Sequence, residues 1–285
     1  MKKANIGIVG YGIVGSALAH GFKGENIFTY DKYKKGRDTL PEVVKKSEFI
    51  FICVPTPILK DGSSIDLSIV EEAVKNVVPY TNGTNKIVVI KSTSIPGTTA
   101  RLMRRYPKTK FAFNPEFLRE KTFLSDFVKA DRIIIGAKDK KVLNRVAALH
   151  KKRFPQMPIF KTDPTSAELA KYMANCFLAA KVIFGNEMYA LAQKLGVSYP
   201  EVKQMVVADH RIFDSHLDIS KERGFGGKCF PKDTLALLAL MKKLKVDSTL
   251  LSSAWKKNLK IRKVRDWDEI PFAVSSKKRA IAKRR

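Results

Sequence analysis

The feature that most constrains the fold is a glycine-rich turn between a strand-like run and a helix-like run. Ile6–Val9 is short and apolar, and the residues from the turn to about Phe22 read as a helix. Between them stands Gly10-Tyr11-Gly12-Ile13-Val14-Gly15, a GxGxxG pattern in the strand-to-helix context it requires. Gly10 allows the tight turn, Gly12 lets the backbone approach a pyrophosphate, and Gly15 lets helix and sheet pack closely. The helix start, with Ile13 and Val14, offers unpaired N–H groups and a partial positive charge to the phosphates. Asp31 lies 21 residues after Gly10, at the end of a second strand, Ile27–Tyr30. A carboxylate there can hold ribose hydroxyls and would repel a 2′-phosphate, which favours NAD over NADP. Lys32 and Lys34 weigh against that preference.

Strands and helices alternate through the first half. Phe49–Val54 (FIFICV) is apolar on both faces, as in a buried parallel strand. A helix follows at Asp66–Val78, then strands at Lys86–Ile90, Phe111–Phe113 and Arg132–Ile135. Asp163 and Pro164 make an N-cap and first helical residue, and one long helix runs from there to Leu195, with Gly196 as its stop. Further helices are expected near 199–208, 231–244 and 247–260. The expected class is therefore α/β: an N-terminal Rossmann doubly wound parallel sheet (1–163) followed by an all-α domain (164–262). A basic tail, 263–285, is expected to be disordered; its last nine residues carry six basic side chains.

Composition narrows the function classes. No apolar run reaches the roughly 18 residues of a membrane span, and no signal-peptide pattern opens the chain, so a cytoplasmic protein is expected. Cys53, Cys176 and Cys229 cannot all pair and form no CxxC, which fits a reducing compartment. The four histidines and three cysteines show no metal spacing, so no metal is expected. Lys and Arg total 54 against 27 Asp and Glu, a net charge of +27 that attracts anions. A polyanion-binding protein on an inactive scaffold is thus the alternative from another class. No helix-turn-helix, RNP or zinc-finger pattern supports a nucleic-acid partner.

Gly224-Phe225-Gly226-Gly227-Lys228-Cys229-Phe230-Pro231-Lys232-Asp233-Thr234 carries the chemistry. Pro231 is a natural helix opener, so Cys229 should lie just before a helix N-terminus, where the dipole and Lys232 favour a thiolate. Asp233 falls about one turn away. A thiolate beside a carboxylate suits covalent catalysis with proton transfer, although a lone cysteine is more often buried filler.

GFGGKCFPKD resembles the active-site loop of the UDP-glucose/GDP-mannose dehydrogenase family. The likeness continues in Cys53-Val54-Pro55-Thr56-Pro57, Lys91-Ser92-Thr93-Ser94-Ile95-Pro96-Gly97-Thr98-Thr99 and Asn114-Pro115-Glu116-Phe117-Leu118-Arg119-Glu120. It extends to Asp131-Arg132-Ile133 and Glu168-Leu169-Ala170-Lys171-Tyr172-Met173-Ala174-Asn175. These motifs follow the family's order, and their wording is nearest to the members that oxidise UDP-glucose. The resemblance implies a helical domain like that of 6-phosphogluconate dehydrogenase, and oxidation of a UDP-sugar by two hydride transfers to NAD. Cys229 would be the nucleophile, passing through a thiohemiacetal and a thioester. Lys171 and Asn175 share a helix face and would stabilise the oxyanion. Asp233 with Thr93 would hold and activate water, and Glu120 would assist proton transfer. The implied cofactor contacts add Pro55, Thr56, Thr93 and Lys232. The implied substrate contacts are Glu116, Phe117, Leu118, Arg119, Lys171, Asn175, Phe225 and Gly226, with Arg211 reaching across a dimer formed through the long helix.

The pattern departs from the family in three places. Lys121 replaces a usual small residue, and the segment between Arg211 and Gly224 has unusual wording. Family members continue into a second nucleotide-gripping domain, whereas here about 27 residues follow Asn258. With the implied catalytic residues intact, activity is the expectation. GDP-mannose or a UDP-N-acetylhexosamine are the alternative substrates, since the further domain normally reads the base. A single-step β-hydroxyacid dehydrogenase shares the first half and the long helix but lacks the Cys229 motif.

Overall fold

The computed structural model describes residues 2–270 and 273–275. The first part of the chain alternates β1 (Asn5–Val9), α1 (Ile13–Gly21), β2 (Asn26–Tyr30), α2 (Leu40–Lys46), β3 (Phe49–Ile52), α3 (Ser68–Val77), β4 (Ile87–Ile90), α4 (Thr98–Arg105), β5 (Lys110–Phe113), α5 (Phe123–Val128), β6 (Ile133–Gly136), α6 (Lys140–Arg153) and β7 (Ile159–Thr162). It continues with α7 (Pro164–Leu195), α8 (Tyr199–Val207), α9 (Phe230–Lys243), α10 (Thr249–Ile261) and α11 (Asp266–Glu269).

The strands form one seven-stranded sheet in the order β2-β1-β3-β4-β5-β6-β7. All neighbours are parallel except β5 and β6, which meet antiparallel at Phe113 and Gly136. The sheet is thus doubly wound and Rossmann-like as expected, with one reversed junction. A loop and the six-residue α5 join β5 to β6, so the chain turns back without the helical crossover that a parallel pair needs. The strand order changes direction at β1, between β2 and β3, which is where such sheets open a ligand crevice.

The central strands explain the sheet's stability. Every residue of FIFI in β3 and IVVI in β4 is buried. Each such side chain contributes about 1.5–3 kcal/mol on burial. Their alternating faces feed two apolar layers, one around Ile6, Ile8, Phe51 and Val89 and the other around Ile50, Ile52, Val88 and Ile90. Helix ends are specified locally. Thr39 and Glu42 make a capping box for α2, and the Asp139 carboxylate accepts from the Lys141 N–H at the start of α6. His150, on α6, packs edge-on against Phe22 at 5.3 Å.

Two compact units result. The first holds the sheet and its helices up to Lys171, and the second holds Pro57–Asp66 and the described residues from Tyr172 onward. The boundary therefore lies inside α7, later than the 163/164 expected from the cap signal. In the second unit Ala179, Ile183, Phe225 and Ala254 form a small core. Ile58 bridges both Ile65 and Val274, which ties Pro57–Asp66 to the end of the described chain. The expectation of a disordered tail from 263 needs correction: Asp266–Glu269 is helical and Trp267, only 4% exposed, packs at a tilt against Trp255. An indole is large enough to anchor a short segment that charge patterning alone would leave in solvent. Residues 271–272 and 276–285, which include the last nine, lie outside the described residues.

Candidate active site

In the first unit the glycine turn is built by close backbone approach. Gly10 has φ +94°, and a Cβ there would come 2.8 Å from the Cys53 backbone. A Cβ at Gly15 would lie 2.1 Å from the Gly10 carbonyl oxygen. Gly12 caps α1 without a side chain, and nothing lies within 4 Å of its Cβ position. That open cradle at a helix N-terminus fits a dinucleotide pyrophosphate. Asp31 closes the turn: Oδ2 accepts the Tyr11 N–H at 2.7 Å and Oδ1 the Tyr33 N–H at 2.9 Å. Lys34 donates to the Tyr11 carbonyl at 2.7 Å, and Arg37 lies 4.0 Å from the Tyr11 ring centre. Ile13 and Val14 begin α1, while Pro55 is exposed and Thr56 buried just after β3.

The same unit holds a buried polar cluster around Lys171. This side chain is 3% exposed and pairs with Glu116 at 3.2 Å. Burial pushes the Glu116 carboxyl up, but Lys171 and the Leu118 N–H, at 2.8 Å, bring it below its usual value. Phe117 takes Lys171 on its face at 5.1 Å and Arg132 at 4.2 Å. Lys91, singled out by no role in the sequence, is also buried and donates to Asn114 Oδ1 at 2.9 Å. Desolvation lowers its pKa to about 8. Glu168 accepts from Gly97 N at 2.6 Å and from Thr99 N at 2.8 Å, tying α7 to the end of the loop that carries half-buried Thr93. Burial pushes its carboxyl up to about 7. Leu118 is half-buried, whereas Arg119 and Glu120 are exposed. Arg119 donates to both carboxylate oxygens of Asp126, at 2.7 and 3.1 Å, and holds that acid at about 2.

In the second unit Cys229 is half-buried and is the N-cap of α9, with Phe230 and Pro231 opening the helix as expected. Its carbonyl accepts the Asp233 N–H at 2.9 Å. Asp233, fully buried, takes the Asn175 amide on Oδ2 at 2.5 Å and the Lys232 ammonium on Oδ1. Asn175, Asp233, Lys232 and Cys229 are thus gathered at the start of one helix. Burial pushes both Cys53 and Cys176 up to about 12, so neither is a nucleophile near neutral pH. Arg211 is exposed and paired with Asp209 through Nε at 3.0 Å. Phe225 is a core residue, 3% exposed, with its ring on Trp255, while Gly226 is half-buried. Sequence wording could not separate a lining phenylalanine from a packed one.

Among the described residues no helix is long and apolar enough to cross a membrane. No group of three His, Cys, Asp or Glu side chains there could hold a metal.

Comparison with known proteins identifies the family. Residues 31–154 match the NAD binding domain model of the UDP-glucose/GDP-mannose dehydrogenase family, and 165–260 match its central domain model. A UDP-glucose 6-dehydrogenase of Rickettsia bellii is 36% identical over 224 residues, covering 76% of this chain and 50% of the relative. The solved UDP-glucose dehydrogenase of Pyrobaculum islandicum superposes with a TM-score of 0.80 at 33% identity, over 90% of this chain and 68% of that one. The UDP-D-ManNAc dehydrogenase of Pyrococcus horikoshii gives 0.76 at 26%, with the same coverage. The chain spans about half the length of the curated relatives it matches.

Proposed function

Since the chain belongs to the UDP-glucose/GDP-mannose dehydrogenase family, we propose that it is an NAD-dependent nucleotide-sugar dehydrogenase converting UDP-glucose to UDP-glucuronate. The observation that carries this reading is Cys229, half-buried at the N-cap of α9 with Asp233 one turn on, while the other two thiols are buried. NAD held at the Gly10–Gly15 turn and Asp31 would accept one hydride in each of two oxidations, a fresh NAD replacing NADH between them. The residues of the chain do the rest. After the first oxidation the Cys229 sulfur adds to the C6 aldehyde and its oxygen gains a proton, giving a thiohemiacetal. The second oxidation leaves a thioester. Water then adds to its carbonyl, the C–S bond breaks, and the thiol is restored as the uronate leaves.

Lys171 and Asn175 stabilise the developing oxyanion in this scheme, as fixed donors do without reorganising. Asp233, with Thr93, holds the hydrolytic water, and Glu120 assists its proton transfer. Gly10, Gly12, Gly15 and Asp31, with Pro55, Thr56 and Lys232, serve the cofactor; Glu116, Phe117, Leu118 and Arg119 serve the sugar nucleotide. We assign dimerisation to α7, where exposed Met173, Phe177, Phe184, Leu191 and Leu195 recur four or seven residues apart. Arg211 is then free to change partner from Asp209 to a substrate across that dimer. The cytoplasm, where nucleotide sugars are made, is the location this reading requires.

The test is NADH formation with UDP-glucose, GDP-mannose and UDP-N-acetylglucosamine in parallel. Preference for UDP-glucose supports the proposal, preference for another moves the substrate, and no NADH with any of them contradicts the activity. The charge of +27 supports one competing reading, polyanion binding. That reading predicts sequence-blind nucleic-acid affinity with a steep salt dependence.

A further inference from the structure

The loop Gly224–Cys229 has little to hold it by itself. It lacks regular structure, and Gly224 and Gly227 adopt φ +57° and +71°. Besides Asn186, which accepts the Gly224 N–H at 3.3 Å, its order comes from side chains 30 to 40 residues further on. Asn258, fully buried on α10, accepts the Phe225 N–H at 2.7 Å and donates to the Phe225 carbonyl at 3.0 Å. Arg262 donates to the Arg223 carbonyl at 2.9 Å and pairs with Asp266 at 3.1 Å. Asp266 Oδ2 accepts the Gly227 N–H at 3.0 Å, two residues before the sulfur. The Arg262–Asp266 pair also fills the space beside Gly226, where a Cβ would come 2.4 Å from both partners. An aromatic row, Phe230, Phe225, Trp255 and Trp267, packs the loop, α9, α10 and α11 together, with successive centroids 6.2, 5.9 and 5.8 Å apart.

We propose that Asp266 and Arg262 are positioning residues that clamp the backbone of the Gly226–Gly227 turn and so set the aim of the Cys229 sulfur. On this view α11 is part of the active-site machinery, and its four residues exist to present Asp266 while Trp267 anchors it. The charge-assisted bond to Gly227 N fixes the last backbone group before the Lys228-Cys229 step into α9. Misplacing a nucleophile by about 1 Å is enough to cost up to about 100-fold in rate. The inference rests on the reading of Cys229 as nucleophile, but its geometry can be tested without turnover.

The experiment compares the parent chain with Asp266→Ala and Asp266→Asn. Four quantities are read: kcat and KM for UDP-glucose, the dissociation constant of NAD, and the rate at which iodoacetamide alkylates Cys229, followed by peptide mass. Asp266→Ala should lower kcat by about tenfold or more while KM and NAD affinity stay within about twofold. The alkylation rate should fall about fivefold as the sulfur leaves its fixed place at the helix N-cap. Asp266→Asn keeps an acceptor for the Gly227 N–H and should recover most of both losses. A folded Asp266→Ala with kcat and alkylation within about twofold of the parent overturns the clamp. Should that variant not fold, Arg262→Lys replaces it, and an unchanged alkylation rate there overturns the clamp equally. If the parent yields no NADH with any nucleotide sugar, the proposed function fails, while the alkylation comparison still decides the clamp.

Discussion

Two glycine-rich loops carry the chemistry assigned to this chain, and they are held in opposite ways. Gly10–Gly15 is shaped by backbone meeting backbone: Gly10 donates to the Tyr30 carbonyl at 2.9 Å and leaves no room for a side chain against Cys53. Its one important side chain, Asp31, is close in sequence and fixed by the register of β1 and β2. Gly224–Cys229 is shaped by side chains instead, from Asn186, Asn258, Arg262 and Asp266. The first loop is written in a short motif, whereas the second depends on how three helices pack.

Substitutions should separate the two. Gly10→Ala must force a side chain into a left-handed backbone and against Cys53. It should cost about 3–5 kcal/mol of stability and abolish measurable NAD binding by calorimetry. Tight NAD binding by that variant would show that the first loop is not backbone-limited. The first unit should also be acid-sensitive through His150. Its ring is buried, Nε2 has no hydrogen-bond partner, and burial lowers its pKa to about 4. The unfolded state then binds the proton more readily between the ordinary 6.5 and 4. The stabilisation is therefore complete above about pH 6.5 and is lost as pH falls toward 4, by on the order of 3 kcal/mol. Urea unfolding across that range should show the slope, and His150→Phe should flatten it.

Asn258→Ala strands the Phe225 N–H and carbonyl inside the second unit. It should cost about 2–3 kcal/mol in urea unfolding while leaving NAD affinity unaltered. An equal loss of NAD affinity would mean the two loops are not independently supported. Lys32→Ala removes an exposed 3.1 Å pair with Glu72 beside the first loop. The midpoint of urea unfolding should not move measurably, because a solvent-exposed pair is screened.

The contrast also explains what the sequence could disclose. FIFICV, the GxGxxG turn and Asp31 are short-range signals, and each appears in the structure where its pattern put it. The helix from Pro164 to Leu195 was equally readable from its Asp163 cap and Gly196 stop. Helix α6 was not, because its last turn, His150 to Arg153, is rich in basic side chains that mask the apolar face of Val142, Val146 and Leu149. The reversed β6, the inclusion of Pro57–Asp66 in the second unit, and the packing of Trp267 all depend on contacts distant in sequence. Lys171 and Asn175 were singled out only through the resemblance to a family, and Asp233 also through its place about one turn from Cys229. Asn258 and Asp266 stand in no motif, and Lys91 stands in one that gave it no role; burial and hydrogen bonding reveal all three.

The central claim is that Cys229 takes a sugar alcohol through two oxidations, and counting NADH per UDP-glucose consumed tests it most directly. The account predicts two NADH for the parent chain, and for Cys229→Ser no more than one with the aldehyde left unconverted. One NADH per sugar from the parent, or two from Cys229→Ser, would contradict it.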